Sequence, residues 1–139
     1  MSRVKIQLPS SFSFSTSIPL RITDINYGGH LGNDAVLSLV HEARMQFLRH
    51  HGFSELDFGG IGMIMADAAI EFKNEAFYGD VLTAAVTAVR VSRVSFDIFY
   101  QFKTASAVVA IAKTGMVCFD YSRKKIVAIP EDTASVFAA

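Results

Sequence analysis

Several things are scarce in this chain, and each scarcity removes a class of function. Of its 139 residues one is cysteine, Cys118, so no disulfide can close within it and no zinc site can rest on paired thiolates. A lone thiol inside an apolar stretch reads as core filler, not as a nucleophile. Neither sign of charge is in excess: 13 Lys and Arg balance 13 Asp and Glu. A phosphate-binding domain usually carries a clear basic surplus, so nucleic acid is not the expected partner. The longest apolar run, near Ile61 to Ile70, is broken by Asp67 and is too short to span a bilayer. No basic amphipathic stretch marks a membrane surface either. Residues 1–17 alternate Ser with Phe and lack the continuous apolar centre of a secretory signal. A cytoplasmic protein that works away from membranes is expected.

What is present is a well-patterned globular chain. Half the residues are hydrophobic and 19% are charged, enough to bury a core. The length suits one domain over 1–139 and is too short for two. Phe12, Phe14, Thr16, Ile18, Leu20 and Ile22 alternate with Ser11, Ser13, Ser15, Ser17, Arg21 and Thr23, the period of a half-buried strand. A turn-rich stretch, Tyr27-Gly28-Gly29-His30-Leu31-Gly32, ends at Asn33-Asp34, which favour helix starts. From Ala35 the period becomes helical, through Val36, Leu37, Val40, Ala43, Phe47 and Leu48, with Gly52 as the stop. The rest predicts strands over 61–72, 81–91, 94–102, 107–121 and 126–129, with a tight hairpin at Ser92-Arg93. One helix cannot cover both faces of such a sheet. The expected architecture is therefore α+β, an antiparallel sheet of five or six strands wrapped around one long helix.

The chemistry points to the end of the first strand. Its apolar face continues as Asp24 and Asn26, which would share that face in an unbroken strand. Buried polar groups are costly without partners, so this switch just before a helix is a candidate site. The first amides of a helix lack intrahelical partners and favour negative charge. They would stabilise an oxyanion there by about 3 kcal/mol per good donor. Gly28, Gly29 and Gly32 would let the backbone approach a ligand closely.

The stretch from Arg21 through Asp24, Asn26, Gly28, Gly29, His30 and Asn33, with Glu42-Ala43-Arg44 on the helix, resembles the 4-hydroxybenzoyl-CoA thioesterase branch of the hotdog superfamily. Residues 70–72 and 76–82, which include Tyr78, resemble the second landmark of that branch. The resemblance implies a hotdog fold, an acyl-CoA or acyl carrier protein thioester as substrate, no cofactor, no metal, and a homodimer or homotetramer. It implies Asn26, Asp24, His30 and Asn33 as catalytic candidates. Tyr27, Gly28, Gly29, Gly32, Asp67 and Tyr78 are the candidates for substrate contact.

One departure matters. The family's second acid of the Asp-x-Asp pair is Asn26 here, and an amide is no general base at neutral pH. Asp24 becomes the expected base, with His30 as another candidate and Asn26 orienting. Glu42 lies nine residues beyond Asn33, roughly 13 Å along a helix, and reads as a structural partner for Arg44 or Arg21. Asp67 reads as a satisfied polar group or one facing a pocket across a dimer. His41, His50 and His51 show no metal-ligand pattern. Two other readings stand beside hydrolysis. A non-enzymatic acyl-CoA binder follows from the missing acid. A hydratase would want a proline after Asn26 and a histidine one residue earlier.

Overall fold

The structure is a computed structural model and describes residues 3–138; Met1, Ser2 and Ala139, the ends of the expected 1–139 domain, lie outside the described residues. Its elements run β1 (Phe14–Pro19), α1 (Asn33–His50), β2 (Gly62–Phe72), β3 (Val81–Arg90), β4 (Ser95–Lys103), β5 (Val108–Asp120) and β6 (Lys125–Ile126). Short 3-10 turns occur at Ile22–Asp24 and Glu131–Val136. The sheet is antiparallel in the order β1-β3-β4-β5-β2, with β6 against β5. The α+β expectation holds, one long helix against one antiparallel sheet.

The helix forms because residues 33–50 contain neither Gly nor Pro and present one apolar stripe. Val36, Leu39, Val40, Ala43, Phe47 and Leu48 are buried along it. Leu37, assigned to that stripe by spacing, points outward instead, and Leu39 takes its place. Against the stripe lie the inward residues of the sheet: Leu82, Ala84, Val86 and Ala88 of β3, Phe96, Ile98, Tyr100 and Phe102 of β4, and Ala112, Met116 and Cys118 of β5. Each fully buried large side chain contributes about 1.5–3 kcal/mol. Alanines on β3 and β5 opposite large β4 side chains let the helix approach the sheet.

Three boundaries differ from the sequence reading. The first strand pairs only over Phe14–Pro19, because residues 22–24 coil into a 3-10 turn. The helix starts two residues early, with Gly32 as its N-cap in place of Asn33 or Asp34. The last strand is two residues, Lys125–Ile126, and the chain then passes into the 131–136 turn that the periodicity did not predict.

A charged group is buried in this core. Arg44 is 6% exposed. Its Nε donates to Glu55 Oε1 at 3.1 Å and its Nη1 donates to the Tyr100 hydroxyl at 3.3 Å. Tyr100 in turn shares a 2.7 Å bond with Thr114. Glu55 also meets His41 Nε2 at 3.1 Å, and its carbonyl accepts the Met63 amide at 2.9 Å. The network ties α1 to β4, β5 and the loop that leads into β2. Glu42 is not the arginine partner expected of it; it accepts from Gln46 at 2.7 Å.

Candidate functional site

The segment between β1 and α1 is fixed almost entirely by local polar bonds. Asp24 Oδ2 accepts the Arg21 amide at 2.8 Å and lies 3.7 Å from Arg21 Nε. Its carbonyl accepts the Gly32 amide at 3.0 Å. Because residues 22–24 form a 3-10 turn, Asp24 and Asn26 do not share a strand face. Asp24 is buried while Asn26 is exposed. The shared face expected from the sequence is thus corrected, and Asp24 is spent on closing its own turn. Asn26 Oδ1 accepts the Gly28 amide at 2.9 Å and the His30 amide at 3.4 Å. Gly29, at φ +90°, supplies the left-handed step this turn requires.

Two backbone contacts then clamp the turn to the segment between β2 and β3. Leu31 donates to the Ala76 carbonyl at 2.8 Å, and His30 bridges to Phe77. The clamp sets His30 Nε2 3.8 Å from Glu75 Oε1, with its ring edge-to-face on Phe77.

The start of α1 opens on a cavity of about 260 Å³, lined by His30, Leu31, Asn33, Val36, Phe72, Lys73, Asn74, Glu75, Val109 and Ala110. No side chain caps the helix there. The Ala35 amide turns back to the Gly32 carbonyl at 3.0 Å, and among the described residues no side chain claims the amides of Asn33 and Asp34, at the helix end where a developing anion is favoured. The lining combines apolar side chains (Leu31, Val36, Phe72, Val109) with polar ones (His30, Asn33, Lys73, Asn74, Glu75). A carbonyl can thus be held by its apolar substituent with its oxygen toward the helix.

The structure gathers His30 and Asn33 at the cavity and puts Asn26 and the three glycines behind them in the turn. Tyr27 and Tyr78 are exposed and do not line it. Asp67 stands apart on β2, bonded to Lys113 Nζ at 2.9 Å and the Gly115 amide at 3.0 Å. The Lys113 bond holds its carboxyl below the usual range. It is exposed within the chain, so the reading of a satisfied core group is corrected. Lining residues that the sequence reading passed over include Lys73, Asn74, Glu75 and Val109. The run Lys73-Asn74-Glu75 after a long apolar strand was the available signal. Across the helix, a second hollow of about 340 Å³ is lined by Arg21, Ser38, His41, Glu42 and Gln46, among others.

A family model described as the thioesterase-like superfamily matches residues 20–137. The chain belongs to that superfamily. A 1,4-dihydroxy-2-naphthoyl-CoA hydrolase of Nostoc punctiforme is 27% identical over 123 residues, covering 86% of this chain and 83% of that one. A protein of the same name from Microcystis aeruginosa is 30% identical over 99 residues, 69% and 72% of the two chains. Among solved structures, a 1,4-dihydroxy-2-naphthoyl-CoA thioesterase from Synechocystis superposes with TM-score 0.80 at 23% identity, covering 88% and 93%. The hotdog architecture is therefore shared by the superfamily member described here and its structural neighbours.

Proposed function

We propose that this chain is an acyl-CoA thioesterase that hydrolyses its substrate in the cavity at the start of α1. The observation that carries the reading is a helix start without a side-chain cap, opening on a half-apolar cavity beside His30. The acyl group occupies the Leu31, Val36, Phe72 and Val109 wall, and the thioester oxygen takes the helix amides. Water attacks the carbonyl, the oxyanion forms against those amides, and collapse expels coenzyme A thiolate, which leaves as thiol with the free acid. Asp24 is committed to Arg21, so His30 is the group placed to take the proton of water. Asn26 holds the turn that positions it.

The cavity volume suits a compact acyl group, such as an aromatic ring or a short chain, better than a long fatty chain. The relatives' names, which mention an aromatic acyl group, agree with this, as does the branch resemblance carried by residues 21–33. A homodimer fits the surface: β2 is a free sheet edge of 11 residues, Ile64 and Met65 on it are exposed, and exposed Leu37 of α1 lines a hollow with Met65.

A thiol-release assay across aromatic, short and long acyl-CoA substrates tests the reading. Activity on compact acyl groups, reduced about 10²–10⁴-fold in His30→Ala, is the expected result. Tight binding of acyl-CoA with no thiol release would establish instead the non-enzymatic binder, the reading that Asn26 in place of a carboxylate favours.

A further inference from the structure

Glu75 is the one acid on the cavity lining, and it stands between pinned neighbours. Lys73 and Asn74 both give their amides to the Val109 carbonyl, at 2.8 and 3.1 Å, and the Asn74 side chain donates to the Val108 carbonyl at 2.7 Å. On the other side the Ala76 carbonyl takes the Leu31 amide at 2.8 Å, and the Phe77 amide donates to Asp80 Oδ2 at 2.8 Å. β5 thus fixes the segment from one end and the turn ahead of α1 fixes it from the other. The backbone at Glu75 has little freedom, while its side chain is exposed.

The same bonds place His30. Its carbonyl accepts the Asn26 amide at 2.9 Å, and its ring meets Phe77 edge-to-face with centroids 6.1 Å apart. With backbone and ring both set, Nε2 comes 3.8 Å from Glu75 Oε1. Among the described residues no other cation competes for that carboxylate. Lys73, two residues away, is drawn to Glu71 Oε1 at 3.3 Å, and the other oxygen of Glu71 takes the Ile6 amide at 2.7 Å. At 3.8 Å the pair is a charge contact and not yet a hydrogen bond, and a shift of about 1 Å in an exposed side chain brings it to bonding distance.

We propose that Glu75 positions His30, on the reading that His30 is the base: the Glu75 carboxylate accepts the Nε2 proton and leaves Nδ1 bare to take the proton of water. Which ring nitrogen carries the proton is set by the bond that the other one makes. The carboxylate also lies beside the imidazolium that forms when the proton arrives at Nδ1, so the new positive charge is opposed at close range. Water gives one proton to Nδ1 and its oxygen bonds to the carbonyl carbon. Collapse of the oxyanion breaks the carbon–sulfur bond, and Nδ1 returns the proton to the departing thiolate. Glu75 itself neither gains nor loses a proton. Its side chain is 64% exposed and screened by water, so its contribution is about tenfold, far below the roughly 10⁴-fold of a buried triad carboxylate. The segment between β2 and β3 thereby supplies a carboxylate that position 26 does not.

The test is steady-state kinetics on the acyl-CoA hydrolysed fastest in the thiol-release panel. It compares the full chain with Glu75→Gln, Glu75→Asp, His30→Ala and the double variant His30→Ala/Glu75→Gln, each checked for folding by circular dichroism. Glu75→Gln should lower kcat about tenfold with KM within about twofold, and Glu75→Asp should recover part of the loss. In the His30→Ala background the Gln exchange should cost less than about twofold, since the group it positions is gone. An equal loss in both backgrounds overturns the proposal, because a structural or substrate-binding role would produce it. No loss in Glu75→Gln beside a large one in His30→Ala refutes the positioning and leaves His30 as the base. An unchanged rate in His30→Ala removes the base, and the positioning with it. Long-range proton–nitrogen NMR of labelled protein reads the ring without turnover: neutral His30 should carry its proton on Nε2, and a ring protonated at Nδ1 overturns the assignment whatever the rates.

Discussion

Replacing Glu55 by Gln isolates the buried charge of Arg44. The exchange keeps the shape and an acceptor oxygen but removes the negative charge 3.1 Å from Arg44 Nε. At an effective dielectric constant near 20, that attraction is about 5 kcal/mol. Removing one partner of a buried pair typically costs about 3–5 kcal/mol, because the other charge is left behind. Glu55 is 26% exposed, so water recovers part of this. The Gln oxygen also keeps one hydrogen bond to Arg44. A loss of about 2–3 kcal/mol follows. With about 3 °C per kcal/mol for a chain of this size, the unfolding midpoint should fall by about 6–9 °C. The assay is thermal and urea unfolding followed by circular dichroism. Glu42→Gln serves as the control, since Glu42 is exposed and accepts a hydrogen bond from Gln46; it should stay within about 0.5 kcal/mol. If the two variants are equally stable, the Arg44 charge is not held by Glu55 and the reasoning fails.

Burial among Phe47 and His50 lowers the pKa of His51, whose Nε2 has no partner among the described residues. The unfolded chain therefore binds this proton more readily than the folded one. Its contribution to stability is complete above about pH 6.5 and declines as pH falls through the unfolded value. The urea midpoint should drop between pH 7.5 and 5.5, by less in His51→Phe; equal drops would refute the assignment. Burial pushes the Cys118 thiol up to about 11, so Ellman's reagent should not label the native protein in minutes but should label it fully in guanidinium. Rapid stoichiometric labelling of folded protein would contradict this.

The parts of the fold legible in the sequence were those whose pattern and structure share one cause. The apolar stripe of α1 and the clean alternation of β4 came from burial on a single side, and both elements sit where the pattern put them. The first strand was over-read for the same reason. Phe12 alternates like Phe14, but it lies ahead of the paired residues Phe14–Pro19, and alternation does not reveal where pairing begins. At the other end, Asp24 looked like chemistry because a carboxylate interrupted an apolar face. Its bond to the Arg21 amide is a local turn, and local turns of this kind compete with strand pairing without disturbing the residue period. The glycine turn and helix start were readable because neighbouring residues build them. The far cavity wall was not: Val109 and Phe72 reach Leu31 only through the pairing of β2 with β5 and the clamp at Ala76.

These assignments change what the missing carboxylate means. Three backbone bonds, Asn26 to His30, Gly32 to Asp24 and Leu31 to Ala76, fix the helix start before any side chain acts. Asn26 contributes an acceptor oxygen to the Gly28 and His30 amides, and an aspartate there would offer the same oxygen. The turn is therefore indifferent to whether the position is an acid or an amide, and only the chemistry is not. In the mechanism proposed above, a site that keeps the turn, the helix start and a histidine lining the cavity keeps its oxyanion stabilisation. It loses the carboxylate's share in activating water. Electrostatic stabilisation at the oxyanion is usually the larger of those two contributions. On the proposed mechanism the substitution leaves a slower hydrolase that uses His30 for proton transfer, not a scaffold emptied of chemistry.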